Sequence, residues 1–148
     1  FKKEIVMEKS AGVIIFRREK ENIYYLLLRY QSLGKKGVDY WGFPKGHIEG
    51  SETEKETATR EVLEETSIKD LRFVKDFKYL IDYSFRKEGK IVFKTVTFFI
   101  AETNTKKVRV SFEHIGYQWI KYNQAIKELN FANDIAMLKK AHRFITKK

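Results

Sequence analysis

The chain has no cysteine among its 148 residues, so a disulfide framework, a thiolate nucleophile and a thiolate-held zinc are all excluded, and the cytoplasm is the expected compartment. No apolar run approaches the ~18 residues that a membrane helix needs, and the start FKKEIVMEKS lacks the hydrophobic core of a signal peptide. Proline occurs once, as Pro44 in WGFPKG, where it presets the backbone entering the segment that follows. Acidic residues are also in deficit: 20 Asp and Glu face 30 Lys and Arg, a formal charge of +10 that favours polyanionic partners. The lysines are scattered, and no RNA-recognition motif accompanies them. With 43% hydrophobic and 15% aromatic residues, a chain of this length is expected to form one domain, residues 1–148, around one sizeable core.

Against this basic background, seven glutamates crowd into Gly46–Ile68, GHIEGSETEKETATREVLEETSI. Ser51 as N-cap and Glu54 three residues on suggest a capping box, and Thr53–Thr66 carries only helix-compatible residues. On the expected helix, Glu61, Glu64 and Glu65 fall within an arc of roughly 100°, with Ala58, Thr59, Val62 and Leu63 on the adjoining side. Carboxylates at this spacing repel one another unless something neutralises them. A hard divalent cation such as Mg²⁺ takes oxygen ligands of this kind and bridges them to phosphates.

Around this helix the sequence predicts a hairpin of Ser10–Arg18 with Asn22–Tyr30, and a mobile loop over Gln31–Tyr40 with Gly34 and Gly37 among lysines. Strand-rich segments follow at Leu71–Phe85 and Lys90–Glu102, joined by a turn at Lys87–Lys90. The second, KIVFKTVTFFIAE, alternates poorly and is expected to be a central strand buried on both faces. Val108–Val110 is a short strand at most, Gly116–Ile120 a further strand, and Asn123–Leu129 a short helix. A last helix is expected to start at Asn133 as N-cap and to run to about Thr146, with Ile135, Leu138, His142 and Ile145 near one stripe. His114 and His142 have no metal-like pairing and are expected to be structural.

The order Gly46, Glu52, Arg60-Glu61-Val62, Glu64-Glu65, Ser67-Ile68 resembles the Nudix hydrolase signature; Ser67 alone departs from it, standing where the family has glycine. The resemblance implies an α/β/α sandwich (α+β class) around a central mixed β-sheet, and metal-dependent hydrolysis of a nucleoside diphosphate linked to another group. Mg²⁺, with Mn²⁺ as substitute, is the implied cofactor. Glu61, Glu64 and Glu65, completed by Gly46, look like the metal set, and Glu52 and Arg60 like the pair that braces them. Further segments, SAGVIIFRR, YWGFPKGHIEGSE, KTVTFFIAE and FEHIGYQWI, are similar to the asymmetric diadenosine tetraphosphate hydrolase branch. That branch cleaves its substrate to ATP and AMP, and bacterial RNA pyrophosphohydrolases share much of its motif. On this likeness Lys45, His47 and Lys94 are candidates to hold phosphate oxygens, Tyr83 and Phe144 to stack on adenine, and Glu113 to orient and deprotonate the attacking water. A dinucleoside polyphosphate, acted on by a monomer without a membrane, is the expected partner. The 5′ end of RNA or another nucleoside polyphosphate is the alternative, and a nucleotide-binding protein without turnover is disfavoured by the intact carboxylates.

Overall fold

In the computed structural model of the protein, residues 4–31 and 38–147 are described. Eleven elements follow one another: β1 (Ile5–Glu19), β2 (Asn22–Tyr30), β3 (Tyr40–Gly42), β4 (Lys45–His47), α1 (Glu54–Thr66), β5 (Arg72–Phe73), β6 (Tyr79–Lys87), β7 (Lys90–Glu102), β8 (His114–Lys121), α2 (Tyr122–Glu128) and α3 (Ala132–Thr146). Gly34 and Gly37 of the expected loop lie outside the described residues.

The strands form one mixed sheet whose spine is β3-β2-β1-β7-β5, with β4 also on β1, β6 on β7 and β8 on β2. β1 and β7 run parallel from Ile5↔Ile91 to Phe16↔Glu102, whereas the β1–β2 and β6–β7 hairpins are antiparallel, as expected. The β6–β7 turn places Glu88 and Gly89 at φ 52 and 74°, a pair of left-handed residues whose twist suits a two-residue hairpin.

Side chains alternate across the sheet and build two cores. Ala11, Val13, Ile15, Leu26, Leu28 and Phe99 pack on one face against Ala58, Val62 and Ile68 at α1. Ile14, Phe16, Tyr25, Leu27, Phe98 and Ile100 pack on the other against Ala125, Met137, Leu138 and Ala141 of α2 and α3. The result is the α/β/α sandwich with a central mixed sheet. Truncating Leu27 or Leu138, both fully buried, to alanine costs about 2–5 kcal/mol.

Several local expectations shift. The cap of α1 is Thr53, not Ser51, and its reciprocal partner is Glu56; Glu54 instead pairs with Lys78 at 2.8 Å. Thr59 and Leu63 of α1 are exposed, while Thr57, Glu65 and Thr66 join Ala58 and Val62 on the buried side. Strand β7 is buried on both faces only from Val96 to Ala101, because its first half projects past the helices. Val108–Val110 forms no strand; it is drawn along the end of α1, where Arg109 N–H and Ser111 N–H reach the carbonyls of Thr66 and Glu65, groups left unpaired by the helix itself. α3 starts from Phe131 without a side-chain cap, and Asn133 lies within its first turn, on a cavity wall.

Candidate active site

Strand β4 is three residues long, and its alternation sorts the site. Gly46 pairs with Ala11 on the face covered by α1, while Lys45 and His47 pair with Gly12 and Ser10 on the opposite face. A Cβ built on Gly46 would lie 2.0 Å from Cδ of Glu61, so only glycine lets that carboxylate lie against the strand.

Arg60 holds the acidic cluster in register. Its Nε and Nη2 donate to the two oxygens of Glu52 at 2.7 and 3.0 Å, Nη1 donates to Glu61 at 2.8 Å, and Nη2 also reaches the carbonyl of His47 at 3.0 Å. This guanidinium therefore joins α1 to the loop before it and to β4. Its hydrogen bonds, with those from Glu49 N–H and Thr57 Oγ1, hold the Glu52 carboxyl down to about 2.

Glu65 points into the protein, 3% exposed. Burial, then the charges of Glu61 and Glu113, push its carboxyl well above the usual range. Nε2 of His114 approaches its Oε1 to 3.1 Å, yet off the axis of a hydrogen bond, and Oε2 of Glu65 has no partner among the described residues. Glu64 is half exposed and turns toward Arg60 at 3.4 Å.

Among the described residues no three carboxylate or histidine side chains already converge as a metal-binding group. The donors nonetheless fit a divalent cation. Burial and then the charge of Glu61, one turn away, raise the proton affinity of Glu65, and its buried Oε2 lacks a hydrogen-bond partner; a hard cation at that oxygen would relieve both.

Across β4, Nζ of Lys94 lies 3.4 Å from Nε2 of His47, and burial and then the like charge of Lys45 push the Lys94 ammonium pKa down. Lys45 stands on the wall of a cavity of about 380 Å³ lined also by Tyr30, Tyr40, Phe43, Tyr83, Phe131 and Asp134, and Lys94 lies opposite Tyr83. A planar base between aromatic rings, its phosphates on the lysines, fits this arrangement.

The sequence-predicted residues are thus brought together in part. Glu52, Arg60, Glu61, Glu64, Glu65 and Gly46 meet on the α1 side, and Lys45, His47, Lys94 and Tyr83 on the cavity side. Glu113 lies in the turn before β8 and is exposed, near enough for its charge to act on Glu65 and His114. Phe144 does not line the cavity. It packs edge-on to Phe77 at 5.3 Å, and Tyr40, Phe131 and Asp134, which sequence reasoning missed, stand at the cavity instead. The YW preceding GFPKG was the available signal for Tyr40; for Asp134 there was none, since its place depends on how α3 docks.

A glycine-spaced carboxylate helix beneath a mixed α/β/α sheet, facing a basic aromatic cavity, defines a nucleotide-pyrophosphate hydrolase site. The chain belongs to the Nudix family: the NUDIX domain matches residues 7–140, and the protein is a Nudix pyrophosphohydrolase. It is 32% identical to the asymmetrical bis(5′-nucleosyl)-tetraphosphatase of Mus musculus over 93% of this chain and 95% of that one. The Rattus norvegicus counterpart is 33% identical over the same shares. Among solved structures, a Caenorhabditis elegans Ap4A hydrolase binary complex superposes with a TM-score of 0.80 at 30% identity, covering 95% of this chain and 99% of that one. No helix among the described residues is long and apolar enough to cross a membrane.

Proposed function

We propose that the chain acts in the cytoplasm as a single, monomeric Nudix domain that hydrolyses diadenosine tetraphosphate asymmetrically, to ATP and AMP, by attack of water on the polyphosphate chain. The observation that carries this reading is the alternation of Lys45, Gly46 and His47, which sets phosphate-binding cations and an aromatic cavity on one side of a strand and Glu61 on the other.

Glu61, Glu64, Glu65 and Gly46 would hold Mg²⁺, or Mn²⁺ in its place. Such an ion neutralises phosphate charge and lowers the pKa of a bound water. Arg60, itself fixed by Glu52, keeps Glu61 against β4. Lys45, His47 and Lys94 hold nonbridging oxygens, and Tyr83 with Tyr40 and Phe131 takes the adenine. Glu113, whose charge already reaches Glu65, takes the proton of the attacking water. Phe144, packed on Phe77, is left out of the adenine site.

The formal charge of +10 favours a second substrate, the triphosphorylated 5′ end of RNA. Incubation with Mg²⁺ and either diadenosine tetraphosphate or 5′-triphosphorylated RNA, with products separated by anion exchange, tests both readings. Equal ATP and AMP from the dinucleotide are expected. Two ADP, or turnover of the RNA alone, would overturn the first reading.

A further inference from the structure

Beyond the cavity, β6 and β7 continue past the helices as a projecting hairpin. We propose that its outer half is a platform for the second nucleoside of the substrate, with Phe85 as the stacking surface. This rests on the reading of the substrate as a dinucleoside polyphosphate.

The register fixes which side chains share a face. Ile81 stands opposite Val96, Tyr83 opposite Lys94, Phe85 opposite Val92 and Lys87 opposite Lys90. Ile81, Tyr83 and Val96 line the cavity, so Phe85, Lys87, Lys90 and Lys94 lie on the cavity's own face of the sheet. Phe85 is the next same-face position after Tyr83, about 6–7 Å further along the strand.

The two rings lie 6.1 Å apart at 29° to one another and are 39% and 37% exposed for Tyr83 and Phe85 respectively. They make a flat apolar surface with no helix over it, at the mouth of a cavity already suited to one base. Lys94 lies beside the rings, and Lys87 and Lys90 lie beyond them. The acids on this face are Glu8 of β1, opposite Lys94, and Glu4 just before β1, which pairs with Lys90 at 3.6 Å; Lys45 adds to the positive side.

Along the face come the aromatic cavity, with Lys94 beside Tyr83 at its mouth, then the exposed ring of Phe85, then Lys87 and Lys90. A mononucleotide uses the cavity and Lys94. A substrate with a base at each end of a phosphate chain presents base, anion, base, and its second base reaches Phe85 while Lys94 holds the phosphates between. Stacking on one aromatic side chain is tolerant of base identity, which suits an end of the substrate that no hydrogen-bonding pocket encloses.

The test is binding by calorimetry in EDTA, without turnover, of diadenosine tetraphosphate and of adenosine 5′-tetraphosphate, which lacks the second nucleoside. The wild-type protein is expected to prefer the dinucleotide by about 10-fold. Phe85→Ala should remove that preference while shifting affinity for adenosine tetraphosphate less than twofold, and Phe85→Trp should retain it. Phe93→Ala, on the reverse face of the same hairpin, serves as a control for general loosening and should leave the preference intact. Equal wild-type affinities, an equal loss for both ligands in Phe85→Ala, or loss of the preference in Phe93→Ala would overturn the proposal. So would an affinity for 5′-triphosphorylated oligoribonucleotides that grows with length and depends on Phe85, because the occupant would then be RNA. A preference that depends on Phe85 in a protein that fails to hydrolyse the dinucleotide would sustain the platform and sink the proposed activity.

Discussion

Gly46 and Glu61 share one space: the hydrogen of the glycine is replaced, in any other residue, by a carbon that would lie 2.0 Å from the carboxyl carbon of Glu61. Gly46 is not at positive φ, so alanine is tolerated by the backbone there and refused by the carboxylate. Gly46→Ala is expected to keep its melting temperature within a few degrees while losing about 10²-fold in kcat, the scale of a reacting group displaced by about 1 Å. Near wild-type turnover would remove Glu61 from the machinery.

Arg60→Lys keeps the charge and loses the fork that spans Glu52, Glu61 and the His47 carbonyl. The Mg²⁺ concentration for half-maximal activity is expected to rise by about 10- to 100-fold, the usual effect of losing a group that orients metal ligands. A Mg²⁺ titration of turnover checks this. An unchanged midpoint would show that the arginine only stabilises the fold.

Glu65→Gln takes away the carboxylate that a metal would bind, at a position where burial, then Glu61 and Glu113, disfavour its charge while no cation is there. Turnover should fall by about 10²-fold or more, and the melting temperature should hold or rise as repulsion falls. Glu64→Gln, at an exposed side chain, should also lose most turnover, about 10-fold or more, if it serves the metal. EDTA should abolish activity and excess Mg²⁺ restore it; activity that survives chelation would contradict the cofactor.

Ser67 closes α1 at φ 65°, ψ 13°, a left-handed cap that costs a side-chain-bearing residue roughly 1–2 kcal/mol relative to glycine. Part of that gain is offset by the extra freedom glycine has when unfolded. Ser67→Gly should therefore raise the melting temperature by about 2–4 °C without altering kcat. A fall would mean that the serine hydroxyl contributes more than the cap costs.

His142 accepts from or donates to Tyr25 Oη at 2.7 Å and stacks on Tyr122 at 3.9 Å, and burial pushes its pKa down. The fold thus favours the neutral ring. Its contribution is complete above the unfolded value of about 6.5 and is lost as pH falls through that value toward the lower folded one. In a Glu65→Gln background, which takes out the opposite contribution of the raised Glu65 carboxyl, melting temperature should drop from pH 7.5 to 5, and adding His142→Gln should flatten the drop. His114 is shifted in the same direction by burial, so the slope should diminish rather than vanish; an unaltered slope would refute the role of His142.

What the sequence made legible was periodic or ordered along the chain: the β1–β2 and β6–β7 hairpins, the carboxylate spacing of α1, the eight-residue reach from Glu52 to Arg60. What it concealed was decided by other elements. Ser51 and Glu54 satisfy the capping pattern as well as Thr53 and Glu56 do, and the choice falls to the second pair because Lys78 and Thr97 occupy Glu54. Asn133 suits a cap, but it lies inside the first turn of α3 and on the cavity wall. Phe144 and Phe131 are alike in composition; only the docking of α3 puts one on Phe77 and the other at the cavity. His114 came under Glu65 by the course of the chain before β8, which no local pattern records.

The parallel pairing of β1 with β7, from Ile5↔Ile91 onward, has a consequence for how the molecule is made. On a ribosome the first strand emerges long before its central neighbour, so its apolar stretch Val13–Phe16 must wait, flanked by β2 and β4 only, until most of the chain is synthesised. Closing so large a loop is slow, and an open strand edge in the interval is an invitation to association with other chains. Yield of active protein should therefore depend on temperature and rate of synthesis more steeply than its final stability alone would suggest.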